Sequence, residues 1–339
     1  MASFDIIKKL TEAFGPCGLE DEVTKIIYES ISPLCDECGY SPMGGVWGFV
    51  KGKSSETVRL ITASVDEVTF MVGDIDDNGF VRPKKLTKHN AGSVCAKKVI
   101  VGNEDNKFEG IMSGKVLHLA SGDDRQKPNV EKSFVDLGFT KKDELAGKIE
   151  KGDFITFNEK LESFGKNKLI GKALSTRAGA ALMIEALEGF KKNGTKPETD
   201  VAFFFAVKEF VGLGDTFWSV QKFNPSAVLL LSALPAINTE KEAACKMDEG
   251  IVIPSHDNNS LYFGNEIYSA LIKSDIKTQI PTKIEEHQRA ASAQCAAAGC
   301  DMINVSIPVR NIYSAGEIVS LSDLDEMAKA IEYFAFLKI

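Results

Sequence analysis

Val201–Glu209 reads VAFFFAVKE, an unbroken apolar run that ends in a lysine and a glutamate. Successive side chains of a β-strand point to opposite faces, so such a run needs cover on both sides. That describes a central strand of an α/β sheet. Ala227–Leu231 (AVLLL) and Met302–Pro308 (MINVSIP) repeat the pattern. Helical spacing surrounds these runs. The segment after Ser175 places Ala180, Met183, Ile184, Leu187 and Phe190 on one face, with Asn193-Gly194 as its stop. Near the N-terminus, Ser3 is positioned to cap a helix through Phe4, Ile7, Leu10 and Phe14, which Gly15-Pro16 ends. A second helix carries Leu19, Val23, Ile26, Ile27 and Ile31, and a strand hairpin is expected through Val46–Val50 and Val58–Ser64. The last helix is expected to be capped by Ser322, with Asp325 three residues on and Leu324, Met327, Ala328, Ile331 and Ala335 inward.

From about Val68 to Gly165 the rhythm changes to short alternating runs. Turn signals separate them at Asp77-Asn78-Gly79, Asn103–Asn106 and Lys151-Gly152-Asp153. The chain therefore reads as a discontinuous α/β domain with a mostly parallel sheet, 1–67 and 166–339, interrupted by a β-rich insert, 68–165.

The 339 residues carry 40 Lys+Arg against 48 Asp+Glu, a net charge of −8, with 44% hydrophobic residues. That apolar content excludes dominant disorder, and the negative balance argues against nucleic acid and anionic membranes as partners. No apolar run is long enough to span a membrane. The seven cysteines, an odd number in a long chain, suit free thiols in a reducing, cytoplasmic setting. Cys35 and Cys38 form a lone CxxC pair without the two further ligands a structural zinc needs. His89, His118, His256 and His287 show no paired ligand spacing.

Ligands of open α/β sheets bind beyond the carboxyl ends of the strands. The residues there are Ser64-Val65-Asp66-Glu67, Ser175-Thr176-Arg177, Lys208-Glu209-Phe210, Ser232 and Asn311-Ile312-Tyr313-Ser314. No Gly-x-Ser-x-Gly elbow surrounds the serines, and no Gly-Lys-Ser/Thr follows Gly212 and Gly214, so neither a serine hydrolase nor a phosphate loop is indicated.

In order and wording these segments resemble the glutamyl- and deblocking-aminopeptidase group, the family-42 metallopeptidases of tetrahedral type. The likeness runs through LTEAFGPCGLEDEV (10–23), MVGDIDDNGFVRP (71–83), GKALSTRAG (171–179), KEFVGLG (208–214) and VSIPVRNIYSAGEIVSLSDL (305–324). It implies a zinc-peptidase-like three-layer α/β domain with an inserted β-barrel or PDZ-like domain. It implies two zinc or cobalt ions, peptide substrates, and homo-oligomers from dimer to dodecamer.

The resemblance also implies five metal-ligand positions, and all five differ here. Ser64 stands for the histidine of His-x-Asp-Glu, Ser175 for the bridging aspartate, Phe210 for the second glutamate of Glu-Glu-Val-Gly, Ser232 for an aspartate and Tyr313 for the final histidine. Glu209 keeps the place of the general base, with Asp66, Glu67 and Arg177 behind it. Neutral hydroxyls and a phenyl ring bind zinc poorly, and a tyrosine must first lose a proton whose pKa is about 10. From this follows the expectation of a protein without metal or other cofactor. Such a pseudoenzyme has lost catalysis and serves a binding, regulatory or assembly role. Its Glu209 is idle and paired with a neighbour such as Arg177, while Phe210 and Tyr313 fill the vacated space. The alternative is an active metal-dependent aminopeptidase that removes N-terminal residues from peptides through a rearranged site.

Overall fold

The computed structural model of the protein describes residues 4–114, 130–212, 214–236, 245–254, 266–281 and 300–338. Ser3, His118, His256, His287 and Cys295 lie outside them.

The strand Thr199–Ala206 is buried along its whole length, as its apolar run requires. Phe203 and Phe205 face one layer, packed with Ile7, Val23, Met183 and Met327 from the helices Phe4–Glu12, Asp21–Ile31, Leu174–Asn193 and Leu321–Phe336. Phe204 faces the other, with Val220 of the helix Gly214–Phe223, Leu60 and Val228. Strand alternation thus divides three adjacent phenylalanines between two cores, which makes a three-layer α/β/α sandwich.

The sheet has eight strands. In spatial order they are Glu37–Tyr40, Val46–Val50, Thr199–Ala206, Ser54–Ser64, Ala227–Pro235, Asp301–Val309, Ile251–Val252 and Thr278–Gln279. The four long central strands from Thr199–Ala206 to Asp301–Val309 run parallel. The expected hairpin of Val46–Val50 with the next strand is absent, because Thr199–Ala206 inserts between them. Val46–Val50 forms its hairpin backwards instead, with Glu37–Tyr40. The run after Lys168 does not join the main sheet either. Lys168–Gly171 lies between Glu162–Ser163 and Glu317–Ser320 in a small separate sheet, and the long helix starts at Leu174. Ser175 is therefore in a helix's first turn. Ser320, not Ser322, takes the cap position of the final helix, which begins at Leu321 and includes Ser322 in its first turn.

The β-rich segment closes into a six-stranded barrel: Thr69–Ile75, Val81–Lys85, Phe134–Asp136, Lys107–Ser113, Lys97–Gly102 and Phe154–Phe157. Phe70, Val72, Val99, Val101, Met112, Val135, Ile155 and Phe157 fill its interior. The turns named in the sequence fall where they were expected. Gly79 takes φ +82° and bonds back to Asp76, and Asn103 bonds Asn106 across its turn. Among the described residues no helix is long and apolar enough to cross a membrane.

One buried ion cluster joins the N-terminal loop to this sandwich. Arg177, fully buried, donates to the carbonyls of Leu10 (2.9 Å), Ala13 (3.0 Å), Gly15 (2.8 Å) and Val65 (2.8 Å) and to Glu67 Oε1 (3.1 Å). Lys172 Nζ meets Glu67 Oε2 at 2.7 Å. Gly15 has to be glycine here, because a Cβ would lie 2.4 Å from Val23 Cγ2 and 2.6 Å from Arg177 Nη2. Removing one partner of a buried ion pair costs about 3–5 kcal/mol, since the other is left charged and unsolvated. Arg177→Ala should therefore lose about that much stability in urea denaturation. Breaking the exposed Lys53–Glu198 pair should cost under about 1 kcal/mol.

Candidate functional site

The parallel strands bring Ser64, Ala206 and Ser232 to one level of the sheet, where the candidate residues gather; Ser232 lies inside its strand and not beyond it as expected, because pairing with Asp301–Val309 carries that strand on to Pro235. Backbone strain marks the place. Ala173, Lys208 and Tyr313, each adjacent to or near a candidate residue, hold left-handed φ of 54°, 61° and 59°. Such conformations cost about 1–3 kcal/mol each in residues other than glycine and recur at functional sites.

The five positions of the expected metal ligands are each engaged within the protein. Ser175 donates its backbone N–H to Glu317 Oε2 (2.6 Å) and its hydroxyl to Oε1 (2.9 Å). Ser232 Oγ bonds Asn304 Oδ1 (2.6 Å) and Ser306 Oγ (2.7 Å). Ser64 Oγ accepts the Asp66 N–H at 3.2 Å. The Phe210 and Tyr313 rings meet edge-to-face, with centroids 5.6 Å apart at 90°. Three hydroxyls committed to neighbours and two aromatic rings do not fit a pair of dications, which need imidazole or carboxylate donors. His89, the one histidine among the described residues, sits in the barrel region against Phe70.

Carboxyl groups converge beside these positions instead. Glu209 Oε1 accepts the Thr216 N–H at 3.1 Å. It does not pair with Arg177, which is wholly engaged by Glu67 and backbone carbonyls. Asp66 lies fully buried, its Oδ2 accepting the Phe210 N–H at 2.8 Å and the Cys17 thiol at 3.3 Å. Glu20, nearly buried, accepts the N–H groups of Gly18 (2.8 Å) and Lys208 (3.1 Å) on Oε1. Burial, and then the Asp66 charge, push Glu209 up to about 8 and Glu20 up to about 7. Burial raises Asp66 to about 6 and Glu317 to about 7.

Of the residues carried from the sequence, Glu209 and Asp66 belong to this acidic group. Glu67 and Arg177 belong, with Lys172, to the ion cluster described above. Ser175 and Tyr313 share Glu317, whose Oε1 also takes the Tyr313 N–H at 2.7 Å. Cys17, Glu20 and Glu317 were not anticipated. Cys17 and Glu20 stand inside LTEAFGPCGLEDEV, but Cys17 is 49 residues from Asp66 along the chain, and no local pattern links them.

Residues 44–330 match the profile described as M42 glutamyl aminopeptidase. The chain is 26% identical over 333 residues to the glutamyl aminopeptidase of Lactococcus lactis, covering 95% of this chain and 93% of that one. It superposes on a TET aminopeptidase from a marine sediment thaumarchaeon with a TM-score of 0.89 at 25% identity, over 98% of this chain and 96% of the other. The Pyrococcus horikoshii TET1 peptidase, which can assemble into a tetrahedron or a large octahedral shell, gives 0.85 at 22% identity over 98% and 99%.

These matches overturn the expectation of a protein that has lost catalysis and is not an enzyme. A chain matched over nearly its whole length to glutamyl aminopeptidases carries that group's hydrolase scaffold, and nothing in the matches marks it as a pseudoenzyme. The five substituted positions were a poor guide because the fold brings other acidic groups beside them from distant segments.

Burial sets a pH dependence. A carboxyl whose folded pKa exceeds its unfolded value binds its proton more tightly when folded, so stability falls as pH rises between the two values. For Glu209 that window runs from its ordinary 4.5 to about 8. The melting temperature should decline across this range. Glu209→Gln keeps an acceptor for Thr216 and should flatten the decline, most visibly toward the alkaline end. A variant that follows the parent curve would show that Glu209 is not strained in this way.

Proposed function

The chain belongs to the M42 glutamyl aminopeptidase family, and on that premise we propose that it hydrolyses the N-terminal peptide bond of peptides through a rearranged site in which Glu209 moves the proton. The observation that carries this is Glu209 itself. It stands in the loop just past the central strand Thr199–Ala206, after Val207 and Lys208, at the sheet edge where α/β enzymes place their chemistry. It is fixed by the Thr216 N–H and set near neutrality by burial and by Asp66. A carboxyl with its pKa near working pH can take a proton from attacking water and return it to the leaving amine.

Ser64, Ser175, Ser232, Phe210 and Tyr313 then shape the cleft: the hydroxyls as hydrogen-bonding wall, the rings as an apolar one. Self-association into a homo-oligomer is part of the same reading. It is supported by the assembling TET1 relative and is measurable as particle mass by light scattering.

Peptides with a free N-terminus should be cut one residue at a time, and N-acetylated copies of the same peptides should resist. Glu209→Gln should lower kcat by about 10²–10⁴-fold with little change in KM. Equal rates for free and acetylated peptides, or a kcat unmoved by Glu209→Gln, would refute the assignment.

A further inference from the structure

Among the described residues, one group of three side chains brings potential metal donors together: Cys17, Glu20 and Asp66, with one donor atom from each lying within 4.8 Å of the others. All three residues are buried. They come from two segments, the loop after the first helix and the end of the Ser54–Ser64 strand, and the backbone holds them in place. The Cys17 N–H bonds Thr69 Oγ1 at 2.8 Å, the Gly18 N–H bonds Glu20 Oε1, and the Phe210 N–H bonds Asp66 Oδ2. Such outlying bonds orient ligands before a metal arrives.

A second observation points to a missing partner. Asp66 Oδ1 is buried and has no hydrogen-bond donor. Buried carboxylate oxygens without a donor are rare, because desolvation is then uncompensated. The neighbouring buried cations do not supply one, since Lys172 and Arg177 both face Glu67.

We propose that Cys17, Glu20 and Asp66 bind one zinc ion per chain, with donors other than the side chains of Ser64, Ser175, Phe210, Ser232 and Tyr313. The donor set selects the metal. A thiolate with two carboxylates suits zinc or cobalt, whereas calcium and magnesium take oxygen ligands only. Binding replaces the Cys17 S–H bond with an S–Zn bond, and the proton leaves to solvent. Burial and the flanking Asp66 and Glu20 carboxylates hold that proton firmly in the metal-free protein, so uptake should strengthen as pH rises. The site also explains why acidic groups are concentrated where the barrel, the N-terminal loop and the central sheet meet: a dication offsets their mutual repulsion.

The inference does not depend on the hydrolase assignment, and the two fail separately. The full-length chain is purified without a chelating tag, stripped with a chelator, and titrated with cobalt and then zinc in a Cys35→Ser/Cys38→Ser background that removes the CxxC pair. One cobalt per chain should bind and give a near-ultraviolet thiolate-to-cobalt charge-transfer band. Cys17→Ser should abolish that band, and both Cys17→Ser and Glu20→Gln should weaken zinc binding on the order of 100-fold while retaining a cooperative melt. Cobalt binding without a Cys17-dependent band, or zinc affinity equal in the parent and both variants, overturns the proposal. Zinc bound at this site by a protein that cuts no peptide would leave the metal site standing and remove the hydrolase reading. Peptide hydrolysis with no such band would do the reverse.

Discussion

The buried contact of Glu67 with Lys172 and Arg177 is the constraint on which the rest of the molecule turns. Three charges removed from water are tolerable only if every donor and acceptor is met. Here they are met by segments far apart in sequence: carbonyls of Leu10, Ala13, Gly15 and Val65, and the Gly15 N–H on Glu67. The cluster therefore fixes where the N-terminal loop runs. It presses that loop against the end of the Ser54–Ser64 strand and the start of the Leu174–Asn193 helix. Apolar packing between the same elements would be less selective, because it accepts sliding; the five directed N–H groups of a guanidinium do not.

Fixing the loop has an electrostatic consequence. Asp66 and Glu67 are neighbours in sequence but face opposite environments. Glu67 takes both nearby buried cations. Asp66 is left with two donors on one oxygen and none on the other, beside Glu20 and Glu209. The same contact that satisfies one carboxyl concentrates unsatisfied charge around the next, and the raised pKa values of Glu20, Asp66 and Glu209 express that imbalance. The acid groups gather at the sheet's carboxyl edge, with Glu209 partly exposed beside the buried Asp66 and Glu20. The left-handed backbone at Lys208 and Tyr313 belongs to the same edge, so the rigid sandwich bears the strain of holding it.

Local pattern was enough to establish much of this protein. Seven apolar residues at Val201–Val207 could be covered only in the centre of a sandwich, since strand geometry exposes alternate residues to opposite sides. Turn residues such as Gly79, which must take positive φ, set the β-rich insert apart. The place of Glu209 and the family likeness were both readable from contiguous stretches. What local pattern could not give was partnership. The strand Thr199–Ala206 enters between Val46–Val50 and Ser54–Ser64, and nothing in either neighbour announces it, because a parallel pairing is closed by a long crossover and not by a turn. Glu317 reaches Ser175, and Cys17 reaches Asp66, only after the chain has folded back over itself. Periodicity records how much of each residue is buried. Which charges then share that burial depends on long-range closure, and so the chemistry of the site emerged only from the assembled fold.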